Sequence, residues 1–241
     1  MPGGSAGRRD AFASQRVKSI APSGAPTYGN KTMTEHIILL HGIWMRGITL
    51  HPLAHRLRSA GYAVETLDYA SVYGGVEPAA ARLRERMRAM GAATVHLVGH
   101  SLGALVALEA VRAAHELPPG RIVCLGPPLR GSAAARGLAN VPGGRWLMGH
   151  SAHALVEGVG AWTGSRSVGV IAGSLPFGLG AVMGTLNSPH DGTVAVEETR
   201  LPGIADHRTI TTSHSGLLFS SEVADLTASF LRGGRFVSER S

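Results

Sequence analysis

Residues 99–103 read Gly-His-Ser-Leu-Gly, and this spacing of two glycines around Ser101 is typical of a nucleophilic serine. An apolar, β-branched run precedes the pentapeptide at residues 94–98, and an apolar, helix-forming run follows it. At the tip of such a tight strand-to-helix turn a serine hydroxyl is exposed, and only glycine fits two residues before and after it. The context therefore predicts a nucleophile rather than a glycine-rich turn with an incidental serine.

A serine hydroxyl attacks a carbonyl carbon only when a base removes its proton and a third group orients that base. In a strand-turn-helix context the acid follows the serine, and a histidine follows the acid. Asp191 lies in a loop after a predicted strand, with Gly192 to turn the backbone, and is the predicted acid. A structural Asx turn is its alternative role. Asp206 precedes the last predicted strand and Asp225 lies in the last predicted helix, so neither is favoured.

Two histidines follow the predicted acid. His214 lies in the loop that leaves the last predicted strand at the nucleophile's edge of the sheet, and it is the predicted base. His207 begins that strand, which places it at the opposite end. His100 is expected to be a packing and turn residue rather than the base. For His190, an ordinary loop position is favoured over a substrate contact.

An acyl-transfer site also needs two backbone amides to bind the oxyanion. Leu102, directly after the nucleophile, should supply one of them. The loop after the first predicted strand should supply the other, with the amide of Ile43 as the candidate and that of Trp44 as the fallback. We expect the substrate-binding residues at this edge to include His41, Gly42, Trp44 and His100. No metal ligand is predicted.

Strands and helices alternate along the chain, which implies a parallel sheet with right-handed crossovers. The predicted strands are residues 36–41, 63–67, 94–98, 121–126, 167–172 and 207–212. The predicted helices are residues 49–60, 79–90, 102–115, 132–139, 146–159 and 221–231. Ligands of such sheets bind beyond the carboxyl ends of the strands, where the candidate residues fall.

The composition suits one full-sized α/β domain, since the chain has 241 residues of which 44% are hydrophobic. The net charge of +7 is uneven, because five basic residues and one aspartate lie in the first 34 positions. The remainder shows no basic stripe with interleaved aromatics, so nucleic-acid binding is not predicted. Cys124 is the single cysteine and is expected in the core. No apolar run reaches the roughly 18 residues of an integral membrane segment.

The sequence also suggests domain boundaries. Residues 1–32 are rich in Gly, Ser, Ala, Pro and Arg, and they read as a disordered leader or as an upstream extension before a natural start at Met33. They lack the apolar core of a secretory signal. We expect one domain over residues 33–236, a tail over 237–241, and a cytoplasmic location. Within the domain, residues 133–184 are interpreted partly as core and partly as a small cap over Ser101.

The motifs at residues 41–43, 99–103, 126–132 and 188–194, together with His214, resemble the α/β-hydrolase superfamily. More narrowly, they resemble its bacterial lipase/esterase-type and deacylase-like members, over residues 35–236. The resemblance implies a three-layer α/β-hydrolase fold and a serine hydrolase without metal or organic cofactor. The antiparallel strand pair that usually opens this fold has no counterpart before residue 35. A reduced, mainly parallel sheet of about six strands is therefore expected.

Three functions are compatible with this sequence. The first is a carboxylesterase or lipase that cleaves a small-molecule or lipid acyl ester through an acyl-enzyme intermediate. The second is a thioesterase, lipid deacylase or acyltransferase that uses the same triad. The third is a catalytically inactive hydrolase fold that serves as a binding protein. The residues leave the natural substrate and the oligomeric state open.

Overall fold

The computed structural model describes residues 34–112, 116–177 and 186–237, together with Gly3 and Ala114. The sequence-based interpretation of residues 1–32 as a leader, Gly3 apart, concerns residues outside this description. Residues 238–241 of the predicted tail also lie outside it. From residue 34 onward the described residues form one compact unit.

Six strands form one parallel sheet with the order β2-β1-β3-β4-β5-β6. In chain order they are β1 (His36–Leu40), β2 (Ala63–Leu67), β3 (Val95–His100), β4 (Ile122–Leu125), β5 (Val168–Gly173) and β6 (Asp206–Ile210). The prediction of a reduced parallel sheet of about six strands is confirmed. Within the described ranges no antiparallel strand pair precedes β1.

The α-helices of the described residues are α1 (His51–Ser59), α2 (Val76–Ala89), α3 (Leu102–Val111), α4 (Ala133–Ala139), α5 (Gly144–Met148), α6 (Ala152–Glu157) and α7 (Ser221–Gly233). Short 3-10 turns precede α1 and α6. No helix in the described ranges is long and apolar enough to cross a lipid bilayer.

Helices cover both faces of the sheet. Successive side chains of each strand point to opposite faces, so each face forms its own core with the helices that cover it. Ile38 and Leu40 of β1 belong to a core shared with α2 and α3, whereas Ile37 and Leu39 belong to a core shared with α1 and α7. Cys124 is fully buried in the first of these cores. The molecule is thus a three-layer α/β structure.

The predicted helix over residues 146–159 is wrong, because two short helices with a 3-10 turn between them take its place. The break falls at Gly149, which adopts a left-handed φ of 56°. A Cβ added there would lie 2.3 Å from the carbonyl oxygen of Val72. Only glycine therefore fits this contact, and it interrupts the helix. The helix after the nucleophile also ends earlier than predicted, at Val111.

The first turn of α3 packs against the main chain of β1, and this contact requires a glycine. A Cβ added at Gly103 would lie 2.4 Å from the Leu40 oxygen and 2.7 Å from the His41 oxygen. We expect Gly103→Ala to lower the free energy of unfolding by about 3 kcal/mol, because backbone has to move to admit the methyl group. Gly233→Ala is the matched control, since a Cβ there meets nothing within 4 Å. Equal urea midpoints for the two variants would contradict the close approach.

Candidate active site

Ser101 forms the turn between β3 and α3 in a backbone conformation that L-residues rarely adopt, with φ 54° and ψ −120°. Its amide donates to the carbonyl of Leu125, 2.9 Å away, which ties the turn to β4. A Cβ at Gly99 would lie 2.4 Å from the amide nitrogen of Ala104 and 2.5 Å from the carbonyl carbon of Gly103. The strand-turn-helix context expected from the sequence is therefore present.

Asp191 and His214 form a short contact at the carboxyl edge of the sheet. The Nδ1 atom of His214 donates to Asp191 Oδ2 at 2.7 Å, and the His214 amide donates to the Asp191 carbonyl at 2.9 Å. Two separate hydrogen bonds thus fix the imidazole relative to the carboxylate. With a proton held on Nδ1, the Nε2 atom of a neutral His214 is left as the proton acceptor.

The carboxylate of Asp191 is buried and ionised. Burial alone would raise its pKa, but the facing His214 ring, its hydrogen bond and two backbone amides outweigh that effect and hold the pKa below its usual value. The amides belong to Thr193 and Val194, and both donate to Oδ1, at 2.9 and 2.8 Å. The loop of residues 191–194 therefore stabilises the negative charge that faces His214.

Ser101 and His214 line the same cavity. His100, the neighbour of Ser101, donates from Nε2 to the His214 carbonyl at 3.0 Å, and the two rings lie 4.7 Å apart. Among the hydrogen bonds of the described residues there is none between Ser101 Oγ and His214 Nε2. Catalytic hydrogen bonds are often long in a ligand-free site and tighten when substrate binds.

His100 is buried beneath the site, as expected for a packing residue. Burial, followed by the nearby His214, lowers its pKa to about 3, so the ring is neutral at physiological pH. Its Nδ1 atom has no hydrogen-bond partner among the described residues. The neutral ring thus acts through Nε2, which positions the loop that carries His214.

The loop after β1 lies directly beside Ser101. A Cβ added at Gly42 would lie 3.2 Å from the Cβ of Ser101, so a side chain there would crowd the serine, and glycine allows the close approach. Ile43 and Trp44 follow it, and all three residues line the cavity. Leu102, on the other side of Ser101, is the first residue of α3, so its amide has no acceptor within the helix.

Trp44 has a left-handed φ of 59°, which is unusual for a bulky residue. Its indole Nε1 donates to the carbonyl of Leu147 at 2.9 Å, and its side chain is about half exposed. This hydrogen bond connects the loop after β1 to α5 at the cavity. Trp44 therefore has two roles: it lines the cavity, and its indole hydrogen bond fixes the position of the loop after β1.

His41 is placed differently from the other predicted substrate contacts, because it is fully buried and does not line the cavity. Its Nδ1 donates to the Gly42 carbonyl at 2.8 Å, and its Nε2 lies 2.9 Å from Asp68 Oδ1. The ring also stacks on Tyr69. Its position suits an indirect role, in which it orients the peptide that precedes Ile43.

Asp68, which the sequence analysis missed, holds the same loop from outside. Its carboxylate accepts from Arg46 Nε at 3.0 Å and from the Gly47 amide at 3.2 Å. Although partial burial opposes it, the hydrogen bond from Arg46 and the other donors keep the pKa of Asp68 below its usual value. The available signal was its position, since Asp68 directly follows β2 at the carboxyl edge.

Glu198 was also missed, and it joins the Asp191 loop to α4. Its Oε2 accepts from the Ala195 amide at 2.9 Å, and its Oε1 accepts from the Ala133 amide at 2.6 Å and from Arg136 at 3.1 Å. One buried carboxylate therefore ties the segment that follows Asp191 to the start of α4. Its sequence neighbourhood has no motif that would have indicated this role.

The cavity has a volume of about 520 Å³ and is predominantly apolar. Polar groups on its surface come from Ser101, His100 and His214 and from a few hydroxyl side chains. Helices α4, α5 and α6 supply an apolar wall made of Ala134, Ala135, Leu138, Leu147, Met148 and Leu155. Residues 178–184 of the predicted cap lie outside the described residues, so a cap over 133–184 stays a prediction.

Two other histidines that were disfavoured as the base, His190 and His207, do not line the cavity. His190 is buried, and its Nδ1 accepts from the Gly192 amide at 3.1 Å. His207 lies in β6, where its Nε2 is 2.8 Å from the Thr199 hydroxyl. Asp206, next to it, accepts hydrogen bonds from two backbone amides, those of His207 and Phe236.

The parallel sheet, the flanking helices and the strained serine turn define the α/β-hydrolase fold, and solved structures support this. The chain is similar to the mature form of the lipase BlEst2 from Bacillus licheniformis, with a TM-score of 0.68 and 18% identity over 87% of this chain and 95% of that one. It spans only 49% of the propeptide form of that lipase, at 21% identity and a TM-score of 0.65.

The esterase EaEST from Exiguobacterium antarcticum is also similar, with a TM-score of 0.59 and 14% identity over 83% of this chain and 92% of that one. No protein-family model matches the chain, and no curated protein matches it by sequence. At these identities the likeness establishes the fold, so the function has to be argued from the site.

Proposed function

We propose that this protein is a serine hydrolase that cleaves carboxylic esters through an acyl-enzyme intermediate. The observation that carries the proposal is the 2.7 Å contact between His214 and Asp191 beside a cavity that Ser101 also lines. A histidine oriented by a buried carboxylate is the base that a serine nucleophile requires. The lipase and the esterase of similar fold support the choice of an ester.

In the first half of the reaction, Ser101 Oγ attacks the ester carbonyl carbon while His214 Nε2 takes the hydroxyl proton. The carbonyl π electrons move onto the oxygen, and the amides of Leu102 and Ile43 stabilise the resulting oxyanion. When the tetrahedral intermediate collapses, the bond to the alcohol oxygen breaks and His214 gives that oxygen its proton. The acyl group stays on Ser101.

In the second half, water attacks the acyl carbon and His214 takes a proton from it. Collapse of the second tetrahedral intermediate releases the carboxylic acid and returns the proton to Ser101 Oγ. Asp191 remains ionised throughout, and it holds His214 with the proton on Nδ1 and stabilises the imidazolium. A thioester would pass through the same steps with a thiol as the leaving group.

The cavity favours an uncharged acyl group. Its walls are apolar, and its volume of about 520 Å³ falls within the range of small-molecule sites. Each methylene group of an acyl chain that becomes buried there contributes about 0.8 kcal/mol. We therefore infer a small-molecule or lipid acyl ester as the substrate.

The test is a series of p-nitrophenyl esters of increasing acyl length, with matched thioesters and amides. We expect kcat/KM to rise with acyl chain length until the chain fills the cavity, because each buried methylene contributes to binding, and to stop rising beyond that length. A fluorophosphonate probe should form an adduct on Ser101 that peptide mass spectrometry locates. If the folded protein neither turns over any acyl substrate nor takes up the probe, it is a binding protein and the proposal is wrong.

A further inference from the structure

A second cavity, also of about 520 Å³, lies at the edge of the sheet opposite Ser101. Its lining includes residues that directly precede strands, namely Glu35, Thr94, Arg121 and Ser167. Since all six strands are parallel, these residues share the amino edge of the sheet. The length of β3 separates this cavity from Ser101 by roughly 20 Å. The proposed esterase chemistry does not use it.

Among the described residues, Arg121 and Arg166 are the arginines of this cavity's lining, and main-chain carbonyls fix both guanidinium groups. Arg166 donates from Nη1 to the Val95 carbonyl at 2.9 Å and from Nη2 to the Pro118 carbonyl. Arg121 donates from Nη1 to the carbonyls of Leu231 and Arg232, at 2.6 and 3.2 Å. The carbonyls that hold Arg121 belong to the last turn of α7, where the helix carries partial negative charge, whereas those that hold Arg166 lie outside any helix. Each guanidinium has further N–H donors.

In the described part of the chain, neither Arg121 nor Arg166 forms an ion pair with a carboxylate. Glu35, the acidic residue among the described lining residues, instead lies 3.4 Å from His96 Nε2. Burial lowers the pKa of Arg166 to about 10, so it still carries its charge at neutral pH. A partly buried cation without a counter-ion is costly, and an anion bound beside it would offset that cost.

The donor side of the cavity extends to His96, which is almost fully buried. Its Nδ1 accepts from the Arg121 amide at 2.9 Å, so in the neutral ring the proton is on Nε2. Burial, opposed by Glu35 and reinforced by both arginines, lowers the pKa of His96. The hydroxyl residues Thr94, Ser165 and Ser167 complete a lining rich in donors.

We propose that this cavity is a binding site for a free, multiply charged oxyanion of the phosphate class. Guanidinium groups bind such anions through paired, charge-assisted hydrogen bonds, and hydroxyl side chains provide further donors. Among the described lining residues, two arginines face one carboxylate in the balance of charge, so the cavity favours anions over cations. Its volume admits an ion larger than one phosphate group.

The test is calorimetric titration of the full chain with inorganic pyrophosphate at constant, low ionic strength. We expect saturable binding of one ion per chain. Ser165 is exposed and lines the cavity, so Ser165→Asp adds a negative charge there without removing a described hydrogen bond. It should weaken binding by about tenfold or more, whereas the matched neutral variant Ser165→Asn should bind like the wild type.

Two further variants give results of predictable sign. Glu35→Gln removes a carboxylate that repels a bound anion, so this variant should bind pyrophosphate several-fold more tightly. Ser101→Ala should bind pyrophosphate with wild-type affinity, because Ser101 lies at the opposite edge of the sheet. The test of the anion site is therefore independent of the proposed esterase activity. Unchanged binding in Ser101→Ala would support a site separate from the proposed active site, and lost binding would contradict one.

Two outcomes would overturn the proposal. One is equal affinity of the Ser165→Asp and Ser165→Asn variants for pyrophosphate. The other is no saturable binding of pyrophosphate by the folded wild-type protein. If that protein instead sediments with vesicles that contain anionic phospholipid, but not with neutral vesicles, the arginines bind lipid headgroups rather than a free anion.

Discussion

Ser101→Ala should reduce kcat for the best p-nitrophenyl ester by about 10⁵ to 10⁶-fold, since removal of a triad serine has effects of this size. The variant keeps the two amides of the proposed oxyanion site and the Asp191–His214 contact, but it has no atom that can form the acyl-enzyme. Substrate binding should change little, because the cavity wall is apolar. The thermal midpoint should also stay close to that of the wild type.

Ser174→Ala is the matched control for this experiment. Ser174 directly follows β5 at the same edge of the sheet, but it does not line the cavity. Its hydroxyl donates to the Ile210 carbonyl at 3.2 Å, so the variant loses one neutral hydrogen bond and should keep wild-type kcat. The fluorophosphonate probe should label Ser174→Ala but not Ser101→Ala. Full activity in Ser101→Ala would place the nucleophile elsewhere.

The fold was predictable because its signals are local. Buried parallel strands read as short apolar runs, and the observed bounds of β2, Ala63–Leu67, are those predicted. The break between α5 and α6 was not predictable, since it depends on a contact of Gly149 with Val72, which lies far away in the sequence. A glycine inside an apolar periodic run does not by itself reveal whether its backbone is left-handed.

The site residues that were predictable are those in loops that directly follow a strand. A parallel sheet brings loops after different strands to one edge, and this is how chain order alone could pair Asp191 with His214. Asp68 and Glu198 act through contacts with loops distant in sequence, so no spacing rule indicated them. His41 belongs to a recognisable motif, but its burial behind the loop depends on Tyr69 and Asp68, which only the folded chain brings near.

The donor-rich cavity at the amino edge illustrates the same limit. Arg121 and Arg166 each precede a strand, and neither stands out in a chain with 23 basic residues. The linear sequence has no basic stripe with interleaved aromatics. The two arginines come together at the cavity because the amino ends of β1, β3, β4 and β5 meet at one edge of the sheet.

Asp191→Asn is the second substitution with a very large expected effect, and we expect it to lower kcat by about 10⁴-fold. The asparagine carbonyl can still accept from the Thr193 and Val194 amides, so the loop should keep its shape. Its amide group then faces His214 Nδ1 as a donor, and the imidazole has to present a lone pair there. The proton moves to Nε2, and the base can no longer accept a proton from Ser101.

The control is Asp206→Asn, because Asp206 is likewise a carboxylate that accepts two backbone N–H groups, but at the start of β6 and away from the cavity. It should lose about 1 kcal/mol of stability and keep its kcat. Steady-state ester hydrolysis and urea unfolding, measured on both variants, separate the two effects. If Asp191→Asn keeps wild-type kcat, the short contact with His214 serves the structure of the loop and some other group orients the base.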